Sequence, residues 1–137
     1  MSSRLRKVLL FGVVAAMLCV IAYLVVTIAR DHDSVPLAEA ARRIDVKPTY
    51  ADIVQYINST IHRGMSREQV ESILQRIAPI EVRREQLLDT PTLGGPITCD
   101  YITLKIGSFF DHPYFSACYY GEGESLFNWE YKSSWAE

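Results

Sequence analysis

The residues of this chain best able to do chemistry are three cysteines and three histidines, and their spacing limits what they can do together. Cys99 and Cys118 have the clearest physical case. Alternation along two extended segments puts Cys99 opposite Ile102, Leu104 and Ile106, and puts Cys118 opposite Phe115, Ala117 and Tyr119. Both then project from the non-core side of two neighbouring strands. Outside a reducing compartment such a pair can form a disulfide, provided the Cα atoms lie within about 7 Å. Two independent thiols remain the other reading, because one sequence does not state strand register. His32, His62 and His112 are too scattered for metal-ligand spacing, and Asp31-His32-Asp33 is at most a weak cation site. Asp111-His112 with Cys118 supplies the residue types of a base and a nucleophile, but no orienting group or oxyanion device accompanies them. The expectation is no catalytic residue, no metal, no cofactor and no enzyme.

A different kind of chemistry is suggested by Phe109-Phe110-Asp111-His112-Pro113-Tyr114. The run falls between two expected strands, where a loop is normally polar. Aromatic side chains at a loop tip suggest a contact surface, so Phe109, Phe110, His112 and Tyr114 are candidate partner-contact residues. The alternative is that these rings fold back and cap the core.

Such residues need a scaffold, and part of the chain cannot belong to a soluble one. Residues 8–29 carry no charge and consist mainly of Val, Leu, Ile, Ala, Met and Phe. As a helix they reach about 33 Å, enough to cross a hydrocarbon core of about 30 Å, and only a helix satisfies its own backbone there. The run is longer than the h-region of a cleaved signal peptide, and Ala16-Met17-Leu18 is a poor lipobox for Cys19. An uncleaved transmembrane helix is expected, with residues 1–7 as a basic flank. Arg4, Arg6 and Lys7 precede it and Arg30 follows, which favours a cytoplasmic N-terminus and an extracytoplasmic remainder. With those three cations set aside, the chain's 14 Lys/Arg and 16 Asp/Glu leave a net charge of −5 beyond the span. Nucleic-acid binding is excluded on that ground, since it needs clustered cations to displace phosphate counterions.

Residues 30–48 read as a juxtamembrane linker, with a short helix possible over Leu37 to Ile44. The domain proper is expected over 49–137. Thr49 can cap a helix whose Tyr50, Ile53, Val54, Ile57 and Ile61 share one face. His62 and Arg63 suit its negative end, and Gly64 supplies the left-handed residue that ends it. Ser66 and Gln69 then form a capping box, Met65 and Val70 a hydrophobic staple, and Val70, Ile73, Leu74 and Ile77 an apolar face that lasts until Pro79. The two helices make a hairpin that must bury both apolar faces. Alternation predicts strands from Ile80 to Leu88, through Ile102, Leu104 and Ile106, through Phe115, Ala117 and Tyr119, and through Phe127, Trp129 and Tyr131. Asp89 to Pro96 reads as a loop and Gly121 to Gly123 as a tight turn. The fold class expected is α+β: a transmembrane helix, then a two-layer domain with a helical hairpin on an antiparallel β-meander.

Over Ile61-His62-Arg63-Gly64-Met65-Ser66-Arg67-Glu68-Gln69-Val70, continuing to Ile73-Leu74, the chain resembles the SmpA/OmlA (BamE-like) domain family. That family has the same helix-helix-sheet order and is similar in outline to the β-lactamase-inhibitor-protein fold. It usually places a Gly, and a Pro two residues on, directly after the second helix's apolar pair; here Gln75 and Arg76 follow and the Pro comes at Pro79. The resemblance implies a non-enzymatic module for envelope assembly or scaffolding, with a membrane helix in place of a lipid anchor. Its expected partners are the membrane, through one span, and another envelope protein; a small-molecule substrate is not expected. An inhibitor or immunity-type protein, using its acidic domain to block a cognate enzyme, is the alternative.

Overall fold

The computed structural model describes residues 2–90, 95–108 and 111–132. The chain forms two compact units, Met1–His32 and Asp33–Glu137. The first is helix α1, Ser3–Asp31, opened by Ser2, whose hydroxyl accepts from the Leu5 backbone N–H at 3.4 Å. Its stretch Ser3–Ala29 is long and apolar enough to cross a membrane. Large apolar side chains are exposed all round it, including Phe11, Leu18 and Ile28. A helix apolar on every side has no polar face to turn to water.

The second unit contains α2 (Leu37–Arg43), α3 (Tyr50–Thr60), α4 (Arg67–Ile77) and strands β1 (Ile80–Thr90), β2 (Gly95–Leu104), β3 (Tyr114–Tyr120) and β4 (Ser125–Lys132). The strands form one antiparallel sheet in the order β1-β2-β3-β4, a meander. This is an α+β unit with helices on one face of the sheet. Register puts Val82, Ile102, Phe115 and Tyr131 in one row, and Asp100, Ala117 and Trp129 in the next. These rows face the helices. There Ile53, Ile57, Val70, Leu74 and Ile77 meet Ile102, Leu104, Phe115 and Ala117, all without exposed surface.

The folded unit starts earlier than residue 49. Val35 pairs with Ile106 in a parallel bridge; its N–H donates to Lys105 O at 3.0 Å, and Gly107 N–H donates to Val35 O at 2.9 Å. α2 then buries Ala40 and Ala41 in the core. Residues 33–48 are therefore part of the domain, not a linker. Two small Ala side chains on a seven-residue helix show little amphipathic pattern, and the backbone pairing of Val35 has no sequence signature.

Helix α3 begins at Thr49, whose hydroxyl accepts from Asp52 N–H at 3.1 Å, and ends at Thr60 with Ile61 extended. Gly64 does not terminate it. At the helix end the Ser59 and Thr60 hydroxyls both fold back and donate to Tyr56 O at 2.8 Å, which satisfies the two hydroxyls locally. Gly64, at φ 91°, lies instead in the turn between the helices, where its N–H donates to Leu126 O at 2.8 Å. Leu126 N–H returns to Met65 O at 2.8 Å, so the turn is tied to the start of β4.

The strands also differ from the alternation pattern at three places. β1 and β2 extend to the pair Thr90–Gly95, with a register shift between Leu87 and Thr90, so Asp89, Thr90, Gly95 and Pro96 fall within the strands and not in a loop. β2 stops at Leu104, because Ile106 pairs with Val35. In β4 the register shifts, with Tyr119 opposite Leu126 but Cys118 opposite Asn128. The extra residue is Phe127, which points out, while Leu126 turns into the core.

Candidate interaction surface

Ser66 and Gln69 meet as a reciprocal capping box: Gln69 N–H donates to Ser66 Oγ at 3.3 Å, and Ser66 N–H donates to Gln69 Oε1 at 2.9 Å. Met65 packs half-buried against the core, and Val70 has no exposed surface. This cap fixes where α4 starts, and so aims the next residue, Arg67, down at the sheet.

Arg67 enters a polar centre inside the apolar layer. Its Nε donates to Asp100 Oδ2 at 2.7 Å, and its Nη1 pairs with Glu124 Oε2 at 2.5 Å. Arg84, directly across the ladder from Asp100, donates from Nε to Oδ1 at 3.1 Å. The Arg67 guanidinium also lies 4.6 Å from the Tyr119 ring centroid. Asp100 is 0% exposed and Arg67 5%, so both charges are out of water. Burial opposes the Arg67 charge, but Asp100 and Glu124 outweigh it through hydrogen bonding and charge, and its pKa stands raised. Tyr119 ionises far above its usual range, through burial first and the Asp100 charge second. Among the described residues, Arg67 Nη2 and Tyr119 Oη are enclosed without a hydrogen-bond partner. Glu124 is held at φ 46°, a backbone region that non-glycine residues rarely enter, at the turn into β4. The centre thus locks α4, β1, β2 and the β3–β4 turn together.

The sequence contained a signal for this centre. Asp100 has the same parity as Ile102 and Leu104, so alternation alone puts a carboxylate on the core face. A buried carboxylate requires a cationic partner. Which arginine supplies it depends on the helix-sheet packing.

The opposite face of the sheet is not covered by any described helix or strand of this unit. Cys99 and Cys118 stand directly across from each other there, joined in a disulfide with Cα atoms 4.1 Å apart. Next to them, the Tyr101 and Tyr114 rings stack at 6.1 Å with 7° between their planes. Arg83 lies over Tyr101 at 5.4 Å and pairs with Glu85 at 3.0 Å. Lys132 pairs with Glu130 at 2.6 Å. At the β3–β4 end, Tyr120 and Phe127 meet edge to face at 6.5 Å, both more than a third exposed.

Within the aromatic run at 109–114, the described His112 and Tyr114 lie in different surroundings. His112 is buried and its Nε2 lies 3.2 Å from Ser34 Oγ, so it holds the first residues of the unit rather than a partner. Tyr114 starts β3 and belongs to the open face, because strand parity turns it away from the core. Phe109 and Phe110 lie outside the described residues. No group of three or more His, Cys, Asp or Glu able to hold a metal occurs among the described residues.

The fold therefore defines an α+β unit with one covered and one open sheet face, preceded by an apolar helix. In comparisons with known proteins, no family model, no curated protein and no solved structure matches the chain.

Proposed function

We propose that this chain is a membrane-anchored, non-enzymatic interaction module whose α+β unit binds another protein of the cell envelope, as an assembly or scaffolding element. The observation that carries this reading is the open sheet face. A sheet whose one side buries Ile102, Leu104, Phe115 and Ala117 completely, and whose other side displays Tyr101, Tyr114, Tyr120 and Phe127, presents rigid aromatic anchors of the kind that dominate interface energetics. The helix-helix-sheet order supports the resemblance to the SmpA/OmlA domain. In this reading α1 spans the bilayer with Arg4, Arg6 and Lys7 in the cytoplasm, and the second unit lies outside, where a disulfide persists. Crosslinking of the full-length protein in its native membrane, followed by affinity purification, tests the proposal. It expects a defined membrane-protein partner, lost when Tyr101 and Tyr114 are both replaced by Ser. Recovery of the uncrosslinked protein alone would refute it.

The net charge of −5 beyond the span favours a second reading, an inhibitor or immunity-type protein that blocks a cognate enzyme. A complex with a basic soluble enzyme, dissociated by moderate salt and abolishing that enzyme's activity, would decide for inhibition over scaffolding.

A further inference from the structure

The open face contains a depression of about 180 Å³ lined by Glu81, Arg83, Tyr101, Thr103 and Tyr114. Its shape follows from register. Thr103 sits between Glu81 on β1 and Tyr114 on β3, and Tyr101 stands opposite Arg83. A small β-branched residue surrounded by two tyrosines, an arginine and a glutamate leaves a hollow with aromatic walls.

The charges around it are unequal in a specific way. Among the described residues, five charged side chains lie on this face: Glu81, Arg83, Glu85, Glu130 and Lys132. Each cation has its own carboxylate, Arg83 with Glu85 at 3.0 Å and Lys132 with Glu130 at 2.6 Å. Among the described residues Glu81 has no ion-pair partner, so its charge is the surplus of the face. The adjoining rings accept cations, as the Arg83 guanidinium over Tyr101 at 5.4 Å demonstrates.

We propose that this depression receives a cationic side chain, an arginine foremost, from a basic segment of the partner protein. Glu81 supplies the counter-charge and the Tyr114 ring a cation-π wall. An anionic guest would have to displace Glu85 from Arg83 and approach Glu81 with like charge. The net −5 beyond the span adds long-range attraction for the same class of partner. The inference deepens the interaction-module reading and rests on it.

The test is fluorescence anisotropy of a labelled (Arg-Gly)6 peptide with the full-length protein in neutral detergent, beside a (Glu-Gly)6 control. Glu81→Gln should weaken (Arg-Gly)6 binding about three- to fivefold, and Tyr114→Leu by a similar factor. Glu122→Gln, the same charge change at an exposed site in the β3–β4 turn, should change it little. Unaltered melting temperatures would show that each variant is folded. Equal effects of Glu81→Gln and Glu122→Gln would mean attraction by net charge alone and would overturn the proposal, as would tighter binding of (Glu-Gly)6. If the native-membrane complex forms but is indifferent to Glu81→Gln, the pocket assignment fails while the module reading stands. If no complex forms, the module reading itself fails.

Discussion

On the helix-covered face of the sheet, the Asp100 carboxylate has no exposed surface and is held by Arg67 and Arg84; on the open face, the Glu85 carboxylate is 44% exposed and is held by Arg83. The two pairs have similar nitrogen–oxygen distances, 2.7 Å for Arg67–Asp100 and 3.0 Å for Arg83–Glu85. Their energetics should differ widely. In the interior, desolvation makes each charge dependent on its partner, so removing one leaves an uncompensated buried ion. In water the same removal leaves a hydrated group and costs little. The lesson is that one sheet carries two kinds of polar group. Those on the inner face specify how helices dock, and those on the outer face remain available for another molecule.

Single substitutions in the full-length protein should separate the two faces. Asp100→Ala should destabilise by about 3–5 kcal/mol. Glu85→Ala should stay within about 0.5 kcal/mol. Chemical denaturation midpoints would measure both, and equal losses would show that the inner centre is not dry. Val70→Asp belongs with the large effects, since it puts an unpaired charge at a residue with no exposed surface. A melt within a degree or two of wild type would mean that α4 does not pack on the sheet.

The disulfide gives the outer face its largest structural contribution. With the two positions 19 apart in the sequence, Cys99→Ser with Cys118→Ser should cost about 3 kcal/mol in the chain-entropy account. Alkylation of both thiols without prior reduction in the native protein would show that the bond is absent in solution.

A smaller loss is expected where α4 begins. Ser66→Ala removes one half of the capping box and should cost about 1 kcal/mol. Gly64→Val should also destabilise, because its backbone φ of 91° strains a β-branched residue although nothing lies within 4 Å of the added Cβ. A Gly64→Val variant as stable as wild type would argue that this turn relaxes to another conformation.

At neutral pH, Tyr119→Phe should not destabilise at all. The Tyr119 hydroxyl is buried without a partner, so deleting it should be neutral or stabilising by up to about 1 kcal/mol. Its pH dependence has a definite sign. The folded state holds the phenol neutral above its ordinary pKa of 10.0, whereas the unfolded chain ionises there. The stability contribution is complete below pH 10 and declines above it, by about 1.4 kcal/mol per pH unit. Tyr119→Phe should flatten that decline in alkaline melts. Identical slopes for both proteins would mean that water reaches the hydroxyl.

Much of this molecule was legible in its sequence because the relevant signals are local. The uncharged run at residues 8–29, the capping box Ser66–Gln69, the apolar faces of α3 and α4 and the parity of Cys99 and Cys118 each follow from spacings of two to four residues. Chain connectivity and backbone geometry alone impose those spacings. The tertiary structure decided what depends on pairing between distant segments. Val35 joins Ile106 through backbone hydrogen bonds, which any residue with an N–H and a C=O can make and no side chain announces. Thus residues 33–48 entered the domain unseen. The Phe127 bulge selected Leu126 for the core over the aromatic residue beside it, a choice set by how β3 and β4 slide into register. The Arg67–Asp100 pair spans 33 residues, and only the docking of α4 on the sheet brings that arginine, among the many in the chain, to the buried carboxylate.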